Sequence, residues 1–172
     1  QEAGIVPIVE PEVLMDGDHT AERCEEVTTL VHEIFCEHLV HARVALEGMI
    51  LKPNMIVSGK KCAKQASVQE VAERTLKVLK RTTPSAVPGI AFLSGGQSDL
   101  DATAHLDAMN KLGGNPWPLT FSYGRALQAA PQKAWGGKPE NVKAGMDAFA
   151  HRALMNSEAA LGKWKKSDDK AA

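Results

Sequence analysis

The chain has 172 residues, 44% apolar and 24% charged, and a formal net charge of −1. Such a composition suits an ordinary globular domain with a core and excludes a disordered, fibrous or collagenous chain. With both signs of charge interspersed, no basic field exists to hold nucleic acid or an anionic membrane, so recognition must be local.

Gly4-Ile5-Val6-Pro7-Ile8-Val9-Glu10 is a β-branched run closed by an acid and then a proline, and it reads as the first strand. After a turn at Asp16-Gly17-Asp18-His19, the stretch Thr20 to His41 places Cys24, Val27, Thr28, Val31, Ile34, Phe35, His38 and Leu39 on one face of an amphipathic helix. Leu46 to Leu51 is the second strand, with Gly48, Ile50 and Lys52 on one face and Glu47, Met49 and Leu51 on the other. Pro53 has no N–H to pair and ends it, leaving Lys52 on top of an apolar column. A polar loop runs from Ser58 to Gln65, and Ser67 with Glu70 three residues on starts a helix whose stripe is Val71, Thr75, Val78 and Leu79. Gly89 to Ser94 is the third strand. It runs through Gly95-Gly96-Gln97 to Ser98, which caps a helix carrying Leu100, Ala104, Ala108 and Leu112. Leu119 to Tyr123 is the fourth strand, and Gly124-Arg125 opens another helix. Pro139 suits the first turn of a long helix towards Trp164, and residues 165 to 172 read as a loose polar tail.

Strands alternating with helices, each strand apolar on both faces, indicate an α/β fold with parallel strands under crossover helices. Polar functional types recur at the strand ends: Glu10, Lys52, Ser94-Gly95-Gly96 and Gly124-Arg125. That is where a (β/α)8 barrel keeps its chemistry, yet such a barrel needs about 250 residues and eight units. The four units here correspond to about half of one.

No apolar run approaches the roughly 20 residues that cross a bilayer, and Gln1-Glu2-Ala3-Gly4 lacks the pattern of a secretory leader. Cys24, Cys36 and Cys62 are odd in number and widely spaced, which favours reduced thiols over a disulfide scaffold or zinc ribbon. A cytoplasmic protein is expected, or alternatively one of the plastid stroma. His32, Cys36, His38 and His41 share one helix, but their spacing puts only pairs on a face, too few for a closed metal site.

At the strand ends, an amine such as Lys52 can attack a ketone to give an iminium, an electron sink for cleaving a neighbouring carbon–carbon bond. Losing the carbinolamine hydroxyl needs a proton, which Glu10 or Glu12 on the next strand could deliver. The competing reading of Lys52 is an ammonium reaching solvent past the strand end. Ser94-Gly95-Gly96 before a helix presents N–H groups suited to a phosphate, although a plain tight turn has the same sequence. Arg125 could clamp that phosphate bidentately, or serve only in a surface ion pair.

The assembled motifs are Val9-Glu10-Pro11-Glu12, Leu46-Glu47-Gly48 through Leu51-Lys52-Pro53-Asn54-Met55, Phe92 to Ser98, Phe121 to Gln128, and Lys133-Ala134-Trp135-Gly136-Gly137. Together they resemble the class I, Schiff-base fructose-1,6-bisphosphate aldolases, from about Gly4 to Trp164. The resemblance implies a TIM (β/α)8 barrel of which residues 1–164 supply the last four βα units, followed by the tail 165–172. It implies reversible cleavage of fructose 1,6-bisphosphate to dihydroxyacetone phosphate and glyceraldehyde 3-phosphate, in glycolysis, gluconeogenesis or carbon fixation. No metal or other cofactor takes part; the covalent lysine does that work. By the same resemblance Lys52 is the Schiff-base lysine, Glu10 the acid/base and Glu12 a supporting acid. Ser94, Gly95, Gly124 and Arg125 hold a phosphate, with Leu93 and Gly96 lining the turn and Tyr123 beside it. The implied partners are a phosphosugar, the N-terminal half of the barrel, and further copies in a homo-oligomer, a tetramer; nucleic acid and membrane are not among them.

The family's first-strand aspartate and two further lysines fall outside this chain. Where many members end in a tyrosine, this sequence ends Asp169-Lys170-Ala171-Ala172. Residues 1–172 alone are therefore not expected to form a stable, active monomer. Two alternatives are another lysine-dependent aldolase or transaldolase, which shares Lys52 without the full motif set, and a non-catalytic phosphosugar-binding half-barrel.

Overall fold

Three helix starts follow directly from local chemistry. In the computed structural model, which describes residues 1–169, the Thr20 hydroxyl accepts the Arg23 N–H at 3.3 Å, Ser67 accepts that of Glu70 at 3.2 Å, and Ser98 that of Asp101 at 3.0 Å. Each satisfies one of the N–H groups that a first helical turn leaves unpaired. The helices are α1 (Ala21–His41), α2 (Val68–Thr82), α3 (Asp99–Leu112), α4 (Arg125–Trp135) and α5 (Val142–Ala160).

Between them run β1 (Ile8–Val9), β2 (Ile50–Leu51), β3 (Ile90–Phe92) and β4 (Leu119–Phe121). Among the described residues these form one four-stranded sheet in the order β1-β2-β3-β4, every pair parallel. Val9 pairs with Leu51, Leu51 with Ile90, and Ile90 with Leu119, so the strands are level across the sheet. Consecutive strands are adjacent, and a helix covers each crossover, which is the α/β arrangement that the alternating pattern predicts. The core lies between sheet and helices, where Leu51, Ile90, Phe92 and Leu119 meet Val71, Leu76 and Leu79 of α2 and Leu106 and Met109 of α3, all buried.

The strands are shorter than the apolar runs suggest. Only Ile8 and Val9 pair in the Gly4–Glu10 run, and Ile5, Val6 and Ile8 stand 69%, 61% and 59% exposed, β1 being an edge strand of the sheet among the described residues. Leu46–Gly48 is a 3₁₀ turn rather than the first half of β2. Two helix faces also differ from the apolar spacing. In α1 the buried side runs through Cys24, Glu25, Thr28 and His32, while Ile34 is 47% exposed. In α3 it runs through Ala102, Thr103, His105, Leu106, Asp107 and Met109, while Leu112 is 45% exposed.

The reason in both helices is polar side chains that find distant partners. Glu25 meets Arg74 and Lys77 of α2 at 2.6 and 2.5 Å. Thr103 donates to Asn156 of α5 at 2.8 Å, and Asp107 accepts the Trp164 N–H at 3.0 Å. Burial of a polar group is tolerated when it is paired.

The tail is tied down through Asp169. Its carboxylate is buried, accepts hydrogen bonds from Arg152 Nη1 and from Trp164 Nε1 at 2.9 Å, and lies 3.2 Å from His151 Nε2. Residues 165–168 before it are exposed, and Lys170, Ala171 and Ala172 lie outside the described residues.

Candidate active site

The register of β1 and β2 places Glu10 and Lys52 side by side, each one residue beyond its strand. The Lys52 N–H donates to Val9 O at 2.7 Å, which holds the two strand ends together. Lys52 Nζ then lies 3.0 Å from Glu10 Oε1, with the lysine side chain 20% and the glutamate 49% exposed. An amine within hydrogen-bond reach of a carboxylate is the geometry for proton exchange at nitrogen.

Glu12 is not brought to Lys52. Its Oε1 lies 3.8 Å from the point where a Cβ on Gly95 would sit, on the turn between β3 and α3. One loop thus supplies two acids that face different groups.

The β3–β4 register brings the Gly95 and Gly124 turns together in the same way, since Phe92 pairs with Phe121. Gly95 and Gly96 have φ of +54° and +73°, a region that a side chain rarely adopts, so glycine is required there. A Cβ on Gly95 would also lie 3.2 Å from Leu93 Cδ1 and 3.3 Å from Met15 Cε, which shows how closely the turn is packed from below. Ser94 is buried, and its carbonyl accepts both the backbone and the side-chain N–H of Gln97, closing the turn. Arg125 is the first residue of α4, exposed, and in no ion pair among the described residues. Its Nη2 lies 3.4 Å from the Cβ position on Gly96.

Tyr123 contributes differently from the other residues of this group. Its hydroxyl is buried and donates to Ala102 O of α3 at 2.9 Å, so it packs the floor rather than offering a hydrogen bond to a ligand. Burial holds its phenol in the protonated form, well above the usual range.

Two residues without a role in the sequence reading join the site. Lys60, from the loop after β2, places Nζ 2.9 Å from the same Cβ position on Gly96, and its one acidic partner among the described residues, Asp16, is 3.6 Å away. A cleft of about 300 Å³ runs beside it, lined by Lys60, Gly96, Gln97 and His105 among others. Asn54, two residues past Lys52, is buried and bonds the loop that carries Glu10 and Glu12. Asn54 lies in the Leu51-Lys52-Pro53-Asn54-Met55 motif, but the motif gives it no role, since both residues act across more than 35 positions of sequence.

His32 and His105 are also buried, each held neutral by burial with a pKa lowered to about 4. His105 Nδ1 lies 2.6 Å from Gln97 Oε1; the Gln97 amide nitrogen donates to Ser94 O, so the imidazole N–H donates to the oxygen. This ties α3 to the Gly95-Gly96 turn.

A sequence model described as class-I fructose-bisphosphate aldolase matches residues 1–172. The chain belongs to that family. Among relatives of the aldolase family, the fructose-bisphosphate aldolase of Echinococcus multilocularis is 54% identical over 166 residues, covering 96% of this chain and 46% of its own. A probable class 1 fructose-bisphosphate aldolase of Xanthomonas campestris is 53% identical, covering 96% and 50%. A Plasmodium falciparum aldolase, solved in complex with TRAP and a small-molecule inhibitor, superimposes with a TM-score of 0.91 at 48% identity, over 94% of this chain and 46% of that one. The chain therefore spans about half the length of the aldolases it matches. Its four parallel strands are part of an aldolase barrel.

Proposed function

We propose that this chain is the lysine-bearing half of a fructose-bisphosphate aldolase, acting through a Schiff base on Lys52. The observation that carries the reading is the 3.0 Å approach of Lys52 Nζ to Glu10 Oε1 at in-register strand ends. Glu10 takes a proton from the Lys52 ammonium; the neutral amine then attacks the ketone carbon, and the proton it sheds on attack passes to the new alkoxide to give the carbinolamine hydroxyl. The protonated Glu10 then donates to the carbinolamine hydroxyl, which leaves as water and yields the iminium. Glu10, again a carboxylate, takes the proton of the hydroxyl on the carbon that becomes the aldehyde, and the electrons of the carbon–carbon bond move onto the iminium nitrogen, releasing the aldehyde half and leaving an enamine on Lys52. Protonation of the enamine and hydrolysis return the free amine.

The Ser94-Gly95-Gly96 turn, Gly124 and Arg125 seat the ketone-side phosphate at the start of α3 and α4. Two cations, Arg125 and Lys60, both reach Gly96 and suit a dianion. Leu93 shapes the turn from below, Tyr123 supports it through α3, and Glu12 sits against it as the second acid of its loop. Because the iminium itself withdraws electrons, the reaction needs no metal.

Residues 1–164 then form one half of a single barrel and 165–172 its tail. The other half is a segment of the same polypeptide, as the roughly doubled length of the relatives supports. It covers the exposed outer side of β1. A tetrameric, cytosolic enzyme is the reading for the assembly. No helix of the described residues is long and apolar enough to cross a membrane, and an Arabidopsis thaliana relative at 51% identity is named as cytosolic.

The test is borohydride reduction of the complete polypeptide with dihydroxyacetone phosphate, followed by peptide mass analysis. The adduct is expected on the peptide containing Lys52. An adduct confined to Lys60 or Lys61 overturns the assignment, and no adduct at all favours a half-barrel that only binds phosphosugars.

A further inference from the structure

The loop from Glu10 to Leu14 carries both acids, yet its backbone has almost nothing to hold it. β1 ends at Val9 and Pro11 has no N–H. Among the described residues, the single hydrogen bond made by the backbone of residues 10–14 runs from Val13 N–H to Asn54 Oδ1, at 3.0 Å. Asn54 itself is buried at 5% exposure. Its Nδ2 donates to Thr28 Oγ1 of α1 at 3.2 Å and to Met55 O at 3.1 Å. The first of these contacts ties the amide to α1. α1 is clasped to α2 by Arg74, which pairs with Glu22, Glu25 and Glu70. Only Pro53, with its fixed φ, separates Asn54 from Lys52.

We propose that Asn54 is a positioning residue for the lysine chemistry: its amide pins the acid loop to the end of β2, so that Glu10 meets Lys52 while Glu12 faces Gly95. The proposal rests on the Schiff-base reading above. Lys52 and the Val13 N–H are referenced to the same short segment, 52–54, so the acid and the amine keep their separation when substrate enters. Misplacement of a catalytic group by about 1 Å can cost on the order of 100-fold in rate. The loop is anchored at Val9 in β1 and at Met15, whose carbonyl accepts the Lys60 N–H at 2.8 Å, and between those ends the Asn54 bond is the one that fixes its backbone.

The test compares variants of the complete polypeptide by steady-state kinetics, borohydride trapping rate and thermal melt. Asn54→Leu keeps the branched shape and removes the polar atoms. Val13→Pro removes the same hydrogen bond from the other side and leaves Asn54 intact. Each is expected to lower kcat by about 10- to 100-fold, with KM changed less than about threefold and trapping slowed in parallel. Asn54→Asp retains an acceptor for Val13 and should recover most of kcat. Thr28→Val removes the amide's tie to α1 and leaves the Val13 bond, so it should lower the melting temperature and lower kcat less than Asn54→Leu or Val13→Pro does. A folded Asn54→Leu or Val13→Pro protein with parental kcat overturns the proposal. So does a Thr28→Val protein that loses as much kcat as they do, since the amide would then be serving stability alone. If Asn54→Leu fails to fold, Val13→Pro and Thr28→Val carry the comparison. Parental turnover in Lys52→Met would instead overturn the Schiff-base reading, independently of Asn54.

Discussion

Glu10 Oε1 and Lys52 Nζ meet at 3.0 Å because Val9 and Leu51 are paired in a parallel register. The acid and the amine come from positions 42 residues apart, counted from 10 to 52, and neither would approach the other without that ladder. A one-residue slip of the register would turn one of them to the opposite side of the sheet.

Glu10→Gln in the complete polypeptide keeps the shape and removes the proton carrier. Turnover is expected to fall by about 10²- to 10⁴-fold, the usual range for a general acid/base, with little change in the melt. Stopped-flow trapping should show slower iminium formation. Parental turnover in this variant would remove Glu10 from the mechanism.

Arg125→Ala should weaken binding of the bisphosphate by about 1.5 to 3 kcal/mol, the scale of a hydrogen bond to a charged group. Lys60→Met should cost about 1 kcal/mol or less, since its side chain is 48% exposed and Asp16 competes for it at 3.6 Å. Isothermal titration with substrate at two salt concentrations measures both, and the Lys60 effect should shrink at the higher salt. Unchanged affinity in Arg125→Ala rejects the clamp.

Acid should destabilise the fold through His32 and His105. Burial lowers both to a pKa of about 4 from an ordinary value of 6.5. The unfolded chain therefore binds protons that the native chain refuses, and stability falls as pH drops from about 6.5 towards 4. Each histidine accounts for up to about 3 kcal/mol over that window, at 1.36 kcal/mol per unit. Melting curves at pH 7 and 5 should differ, and substituting His32 and His105 by glutamine should flatten the difference. A difference that survives both substitutions points to other groups.

Asp169→Ala should unfold the C-terminal segment first. It strips a buried Arg152 of its counter-charge, a change that typically costs about 3 to 5 kcal/mol, and frees Trp164 Nε1. Hydrogen exchange at Trp164 and a lowered melt check this; protection equal to the parent would show that Thr103 and Asp99 hold Arg152 unaided.

Activity should survive exhaustive chelation, because the iminium supplies the electron withdrawal. Complete loss in EDTA, restored by zinc, would contradict the metal-free reaction.

Local rules were legible in the order of residues. Thr20, Ser67 and Ser98 cap helices because a hydroxyl one position before a helix can reach the N–H three residues on, wherever the helix lies. Pro53 ends a strand and Gly95-Gly96 make a turn for equally local reasons. The alternation of strand and helix, and Lys52, Glu10 and Arg125 as candidates at strand ends, follow from the same short-range chemistry. Tertiary structure alone decided which face each helix buries, because Glu25, Thr103 and Asp107 are drawn inward by partners about 50 residues away. It also decided that Glu12 faces Gly95 rather than Lys52, that Lys60 reaches Gly96, that Asn54 holds the acid loop, and that Asp169 ties down the tail. Propensity and periodicity act over one or two turns of chain, whereas a hydrogen bond or ion pair between distant segments depends on where the whole fold brings them.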